Sequence, residues 1–487
     1  MLNLNVLTAN VTMSAVLALA AAAGHPAAAL AQGWSNSGGN AGRNGSTAET
    51  GPDAATVLWS MGRPSVIAWQ PVIDGGRVFS VRQTGFPPEP GSNLSPVVGQ
   101  SLDTGAELWP PINIQFNTGD WTTFVAGARD GRVYASRSGG GGNVFPFPNG
   151  QAKMHAYDGA MGTIVWSSVG TTAAGPYDGV VFAANGDLVI GDFRNITRIR
   201  ATDGSTAWQA NRVGSVSGSC GAAVNAAANA VYVADAAAGG TVIKRYDLDT
   251  GIFRYQSPVM TGFTIQNTPF VTPNGTVCMS RTQNNAATDF FYAFDDSGAA
   301  MTQRWFAPAG WTTTSEYAAD NDSVFVVAPG YLIERRRLTD GMVLATSTVV
   351  VNDYSQRMGV DALGRLFYSN GEFGVTRVHS FNTDLTERWS VPIPNVNIGA
   401  PAVGRDGTLV VAGTDVLRAY RTPRPTCYAN CDASTTPPVL NVNDFVCFNN
   451  LFAAGDTRAN CDGSTAVPVL NVNDFTCFLN AFAVGCT

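Results

Sequence analysis

The 487 residues predict an all-β fold: an eight-bladed β-propeller closed by an N-terminal strand, followed by a small α-helical, disulfide-rich module. Three observations carry this prediction. A hairpin turn followed by alternating apolar residues recurs eight times. A second turn, leading to an aromatic residue, alternates with it. Six of the eight cysteines fall after Thr426, inside a duplicated stretch.

The hairpin signal reads Asp74-Gly75 before Val78 and Phe79, Asp130-Gly131 before Val133 and Tyr134, Asn185-Gly186 before Leu188 and Ile190, Asn274-Gly275 before Val277, and Asp406-Gly407 before Leu409 and Val411. Asx-Gly is the strongest short hairpin signal, because both central residues of a type I′ turn need positive φ. Weaker copies stand at Asn229-Ala230, Asp322-Ser323 and Leu363-Gly364. The second turn reads Leu102-Asp103-Thr104-Gly105 to Trp109, Tyr157-Asp158 through Gly162 to Trp166, Asp203-Gly204 to Trp208, Asp249-Thr250-Gly251 to Tyr255 and Asp296-Ser297-Gly298 to Trp305. Degraded copies run from Asp340-Gly341 to Leu344 and from Thr383-Asp384 to Trp389, which makes seven against eight hairpins. The missing piece is Val57-Leu58-Trp59, an orphan outer strand ahead of the first hairpin, so the two ends of the repeat can share one sheet. Short antiparallel units cannot bury their faces alone, and stacking four-stranded sheets in a ring buries those faces and protects the edges.

At this point the alternation of a D-G hairpin with A-x-D-x-x-T-G-x-x-x-W resembles the PQQ-type propeller repeat of quinoprotein alcohol dehydrogenases and of the outer-membrane assembly propeller. The resemblance covers residues 55 to about 420. A seven-bladed WD or kelch ring is the alternative, which the order of D-T-G before W disfavours. The resemblance implies, for the enzymes, a quinone stacked on a disulfide between adjacent cysteines, a nearby calcium and an Asp base. No adjacent cysteines occur, and Cys220 and Cys278, the two cysteines of the propeller, lie 58 positions apart. PQQ binding is therefore not expected, and the tryptophans read as docking residues between blades.

Composition excludes further classes. Only 13% of residues are charged and 45% are hydrophobic, the net charge is −7, and Lys153 and Lys244 are the sole lysines. Such a chain has core material but no basic patch for nucleic acid. Beyond the N-terminus no apolar run reaches the length of a membrane span. Residues 1–31 read as a signal peptide, with Val11 to Gly24 mostly apolar and Ala29-Leu30-Ala31 as a small-x-small cleavage site, although Met1 to Asn10 lacks positive charge. The mature protein is expected to be secreted, whether extracellular, on the cell surface or periplasmic, with no membrane span. His155 and His379, the histidines outside that peptide, precede the same motif in different repeats, so their shared position has a structural explanation rather than a catalytic one. The run Gly139 to Gly142 lacks the Lys-Ser/Thr ending of a phosphate loop and reads as a loop, as does the proline-containing stretch 84–98. No catalytic or cofactor-binding residue of the propeller is assigned.

The propeller is expected over 32–420 and a stiff linker over 421–426. Residues 427–487 are a tandem repeat in which NCDASTTPPVLNVNDFVCFNNLFA at 430 to 453 returns at 460 to 483. Asn441 and Asn471 read as helix N-caps with Asp444 and Asp474 three residues later, an acidic capping box. Phe445, Phe448 and Phe452, and their copies Phe475, Phe478 and Phe482, fall on one helical face. Cys431 and Cys447 bracket the first loop and Cys461 and Cys477 the second, while Cys427 and Cys486 sit at the ends. Pairing in that register is expected among the 15 connectivities that six cysteines allow. Each inner bridge would contribute about 3 kcal/mol.

This duplicated loop and helix resembles a type I dockerin. The resemblance implies calcium ligands at Asp432, Ser434, Thr436, Asn441 and Asp444, and at Asp462, Ser464, Asn471 and Asp474. It also implies a partner face at Val442-Asn443 and Val472-Asn473 that meets a cohesin-like protein. With two carboxylates per loop, and Thr436 and Ala466 where an acidic ligand is expected, calcium affinity is expected to be weak. A plain disulfide-held tag without a cohesin is the alternative, and the cysteine spacing does not suit zinc. The function expected is a non-catalytic interaction platform with a tail for attachment or sorting. The competing class is an enzyme, either a quinoprotein dehydrogenase or a polysaccharide-degrading protein bearing a dockerin.

Overall fold

The computed structural model describes residues 33–486 apart from 63–69, 85–94, 115–119, 140–150, 171, 174–178, 193, 213–220, 262–267, 282–288, 311–314, 317, 351–355, 371–374, 395–399, 415, 423–426, 435–437 and 465–466. The predicted signal peptide, Pro87, Pro88 and Pro90, Gly140 to Gly142, Cys220, most of the linker, and Thr436 lie outside the described residues.

Eight sheets built on antiparallel strand pairs follow one another along the chain as blades, beside a separate two-stranded pair between Gln151–Ala152 and Thr172–Ala173. The first strands of the blades are Val72–Asp74, Asp120–Arg129, Val181–Phe182, Ala222–Asn225, Phe270–Val271, Ala318–Ala319, Gln356–Val360 and Ala402–Gly404. Contacts between first strands of neighbouring sheets place them innermost, around an axis. The molecule is an eight-bladed propeller. Every predicted hairpin connects the first and second strands of a blade. Both central residues have positive φ at Asp130-Gly131 and at Asp406-Gly407, whereas at Gly75, Gly186, Gly275 and Gly364 the glycine alone carries it. The hairpin positions hold, therefore, but the type I′ geometry is confined to two of them.

The eighth sheet draws on both ends of the repeat. Val57–Gly62 pairs antiparallel with Val416–Tyr420, which continues inward to Thr408–Ala412 and Ala402–Gly404.

Neighbouring blades share apolar layers, because the two faces of each sheet are both covered. One such layer joins Phe270, Phe291 and Trp305 to Val324, Phe325 and Leu366, three blades in one cluster. The repeated tryptophans lock these layers in register. Trp109 donates its indole N–H to Gly159 O (3.1 Å), Trp166 to Ala201 O (2.9 Å), Trp208 to Leu248 O (2.9 Å) and Trp305 to Leu338 O (2.9 Å), each in the next blade. Trp59, on the N-terminal strand, does the same to Leu102 O of the first blade at 2.8 Å. The glycine of each receiving turn lets the ring lie flat: a Cβ on Gly204, which has φ +73°, would sit 2.6 Å from the Trp166 ring. Where the sequence has Tyr255 instead, its hydroxyl donates to Asp296, and no ring covers Gly298.

The C-terminal module holds helices α1 (Val442–Ala453) and α2 (Val472–Val484). Both start on the expected capping box: Asn441 and Asn471 accept from the N–H groups of Asn443 and Asn473. Asp444 and Asp474 in return accept from the N–H groups of Asn441 and Asn471, at 2.8 Å in both copies. The helices meet through Phe448 and Phe478, stacked with centroids 4.2 Å apart, and through Phe445 against Phe482 at 4.4 Å. Disulfides join Cys431 to Cys447, Cys461 to Cys477 and Cys427 to Cys486, so each loop has its own bridge and a third clasps the ends.

Candidate functional site

The propeller axis is the first place to look for a site, and it holds part of the chain itself. Inner strands are edge strands, and their outward N–H groups need acceptors. Residues 34–47 supply them. Trp34 O accepts from Ile73 N (2.8 Å), Ser35 O from Ala128 N (2.8 Å), Ala41 O from Val224 N (2.8 Å) and Gly42 O from Val271 N (2.7 Å). Asn44 O accepts from Ala319 N (2.8 Å) and Gly45 O from Val360 N (2.7 Å). Six blades thus donate to one segment.

Side chains reach the other two blades. Arg43 donates to Gly179 O of the third blade (3.1 Å), to Ala222 O of the fourth (2.6 Å) and to Ser37 O (2.7 Å) of its own segment. Gln70 accepts from Gly38 N (3.3 Å) and donates to Pro401 O beside the eighth blade (3.2 Å). The segment closes on itself through Gly45 N to Gly38 O at 2.9 Å. Trp34, Asn36 and Arg43 are buried to within 1% of their surface. The fit leaves no room for larger residues, since a Cβ on Gly45 would approach Met358 O to 2.6 Å.

Sequence reasoning passes over this segment, because Gly, Asn and Ser in these proportions read as a connection. The available signal was a lone Trp34 and a lone Arg43 within an otherwise small and polar stretch. No three His, Cys, Asp or Glu gather as a metal site among the described residues.

His155 and His379 occupy the third strands of their blades, opposite Ser167 and Ser390 respectively. His155 Nδ1 lies 2.9 Å from Ser167 Oγ, and burial, with Arg137 and Lys153 nearby, holds its pKa below the ordinary value. His379 Nδ1 lies 2.6 Å from Glu387 Oε1, yet burial outweighs that carboxylate and lowers its pKa as well. Both are structural strand residues in equivalent positions. Cys278 is a free, fully buried thiol that burial pushes well above the usual thiol range, so it is no nucleophile.

In the C-terminal module the structure brings Asp432 to Asp444 and Asp462 to Asp474. Asp444 Oδ1 accepts from Asp432 N and Asp474 Oδ1 from Asp462 N, both at 3.2 Å. Asp432 and Asp462 accept in turn from the N–H groups of Ser434 and Ser464, at 2.9 and 2.8 Å. Burial alone would raise the carboxyl of Asp474, but N–H groups from Asn471 and Asp462 outweigh it and hold the pKa low. Asn441 and Asn471 serve as caps. In both copies a further buried oxygen, Asn430 Oδ1 and Asn460 Oδ1, has no hydrogen-bond donor. Each loop thus holds two carboxylates and, in Asn430 or Asn460, a neutral oxygen without a donor. Val442 and Val472 stand 71% and 73% exposed at the first turns of the helices, with Asn443 and Asn473 exposed beside them.

Comparison with known proteins agrees with the ring. No curated protein sequence matches the chain. Among solved structures, the quinohemoprotein alcohol dehydrogenase from Comamonas testosteroni superposes with a TM-score of 0.54 at 12% identity, covering 86% of each chain. The quinohemoprotein alcohol dehydrogenase ADHIIG from Pseudomonas putida HK5 gives 0.52 at 14% identity, covering 93% of this chain and 95% of that one. A europium-containing methanol dehydrogenase gives 0.53 at 11% identity, over 78% of this chain and 89% of that one. At such identities the likeness is one of fold. A family model described as outer membrane protein assembly factor BamB matches residues 95–347. That match spans more than half of the 487 residues and falls on consecutive blades, so the chain belongs to this family of PQQ-type repeat propellers.

Proposed function

We propose that the chain is a secreted, non-catalytic propeller that serves as a platform for protein interaction, with its C-terminal module used for attachment or sorting. The observation that most supports this reading is the filled axis, where residues 34–47 hold the ground in which an enzyme of this shape would gather its reacting groups. Three disulfides belong to an oxidising compartment, periplasmic or extracellular. No described helix is long and apolar enough to cross a membrane.

The module's partner face is read as Val442, Asn443, Val472 and Asn473, two equal patches that could take one protein in either orientation. Calcium is read as a weak ligand at Asp432, Ser434 and Asp444 and at Asp462, Ser464 and Asp474, within loops already held by disulfides. A calcium-dependent rise in melting temperature, lost in Asp432→Ala/Asp462→Ala, supports this; an unchanged melting temperature refutes it. Binding assays with a panel of cohesins, repeated with Val442→Asp/Val472→Asp, test the partner face.

The platform reading itself is tested on purified protein given PQQ and calcium. A quinone absorbance band, or dye reduction with alcohols, replaces it with a quinoprotein dehydrogenase. Sugar release from a polysaccharide panel replaces it with polysaccharide catabolism. Silence in all assays, together with a protein captured by the intact chain, is the outcome expected.

A further inference from the structure

Residues 34–47 contact the ring as a bound peptide contacts a receptor. Backbone carbonyls of the segment meet strand-edge N–H groups from six separate blades, and two side chains, Trp34 and Arg43, are sunk into it as anchors. The segment follows the ring in blade order, from Trp34 and Ser35 at the first and second blades to Ala41 and Gly42 at the fourth and fifth, and on to Asn44 and Gly45 at the sixth and seventh. Strand edges are templates for added backbone, and an extended segment that satisfies them gains affinity from main-chain hydrogen bonds and specificity from side-chain pockets.

We infer that the axial ring of inner-strand edges is a peptide-binding site, which takes a short, small-residue segment carrying one buried Trp and one buried Arg, and which this chain fills in cis with residues 34–47. The Arg pocket is the specific part. Its acceptors are carbonyls of Gly179 and Ala222 from two adjacent blades, so a guanidinium bridges them where an ammonium or amide would reach one. Gly127 and Gly359 form the close walls: a Cβ on Gly127 would come within 2.8 Å of Ser35 O, and one on Gly359 within 3.0 Å of the Trp34 ring. The same chemistry in a second copy of the chain, or in a partner's tail, would compete for the site. The tether keeps the cis segment at a high effective concentration, so it prevails while the chain is intact.

The test uses the full chain with a protease site inserted between Ala54 and Ala55, in an exposed stretch just past the segment. After cleavage the N-terminal fragment is expected to co-elute with the propeller on gel filtration in native buffer. After the fragment is stripped in mild urea and the buffer restored, the propeller is expected to bind a fluorescent synthetic peptide of residues 33–48 saturably. A peptide carrying Arg43→Ala or Trp34→Ala is expected to bind about tenfold or more weakly. The inference is overturned if the fragment leaves the column while the circular dichroism stays native. It is overturned too if stripping irreversibly unfolds the ring, which would make the segment core rather than ligand, or if the substituted peptides bind as well as the native one.

Discussion

Arg43 directs its guanidinium at three main-chain carbonyls while almost none of its surface meets water. Removing it leaves buried acceptors without donors, each costing about 1–3 kcal/mol. Arg43→Ala is therefore expected to lower stability by about 3 kcal/mol or more, read as a drop in the urea midpoint, and an unchanged midpoint would refute the account. His155 and His379 make a pH prediction. Burial leads in both, lowering the folded-state pKa below the unfolded value of about 6.5. The neutral rings thus favour the folded state fully above that pH, and the contribution is lost as pH falls through the folded pKa. From pH 7 to pH 5 the melting temperature of the wild type is expected to fall further than that of His155→Gln/His379→Gln; parallel curves would contradict this. The equivalence of the two histidines was legible in the sequence, because both precede the same strand motif. The role of Arg43 was not, since its acceptors are carbonyls of Gly179 and Ala222, which no side-chain pattern records.

The eight blades were legible for a local reason. A turn that needs positive φ selects glycine or Asx wherever it recurs, so the Asp-Gly and Asn-Gly pairs mark hairpins without knowledge of the rest of the molecule. Tryptophan and the Asp-Thr-Gly turn were readable as a pair, though sequence does not say that the indole of one blade answers the turn of the next. Segment 34–47 carries no period, because its conformation is set by strand edges far along the chain. The strand Val57–Gly62 lies between these cases: its Trp59 marked it as an outer strand, and the structure pairs it with Val416–Tyr420 and directs its indole at Leu102. If this strand latches the ring, Trp59→Ala is expected to cost about 3–5 kcal/mol, as much as Trp305→Ala within one continuous stretch. Trp59→Phe, which keeps the ring and loses one hydrogen bond, is expected to cost about 1 kcal/mol. A Trp59→Ala midpoint equal to wild type, beside a destabilised Trp305→Ala, would show that the latch is idle.

The ring and the C-terminal module touch at a place that joins both ends of the propeller. Arg458, in the turn between the two loops, sits 2.9 Å from Asp406 in the last hairpin and is held by its own neighbour Asp456 at 2.7 Å. Glu49, just beyond the axial segment, faces the same spot; burial raises its pKa against hydrogen bonds from Gly407 and the charge of Arg458. Asp53 nearby pairs with Arg365 and Arg388 of the seventh blade and donates its backbone N–H to Thr422 Oγ1, so the axial segment leaves the ring beside the linker. Between them lies a cavity of about 620 Å³ lined by Glu49, Asp53, Asp406, Tyr428, Asp432 and Arg458. Arg458 keeps 35% of its side-chain surface in water against 5% for Asp406, and an ion pair screened by solvent on one side contributes about 1 kcal/mol, but the linker makes docking intramolecular and lets a small term decide it. The sequence could separate ring from tag by composition, yet it could not pair Arg458 with Asp406, which stand on opposite sides of the linker with no shared pattern. Arg458→Ala is expected to undock the module: the radius of gyration by X-ray scattering rises, and protease cuts the linker at 421–426 faster, while the melting transition of the ring stays put. The same shift is expected for the wild type in high salt, since the contact is electrostatic. An unchanged radius in both would place the hold on the module elsewhere, in the packing around Tyr428.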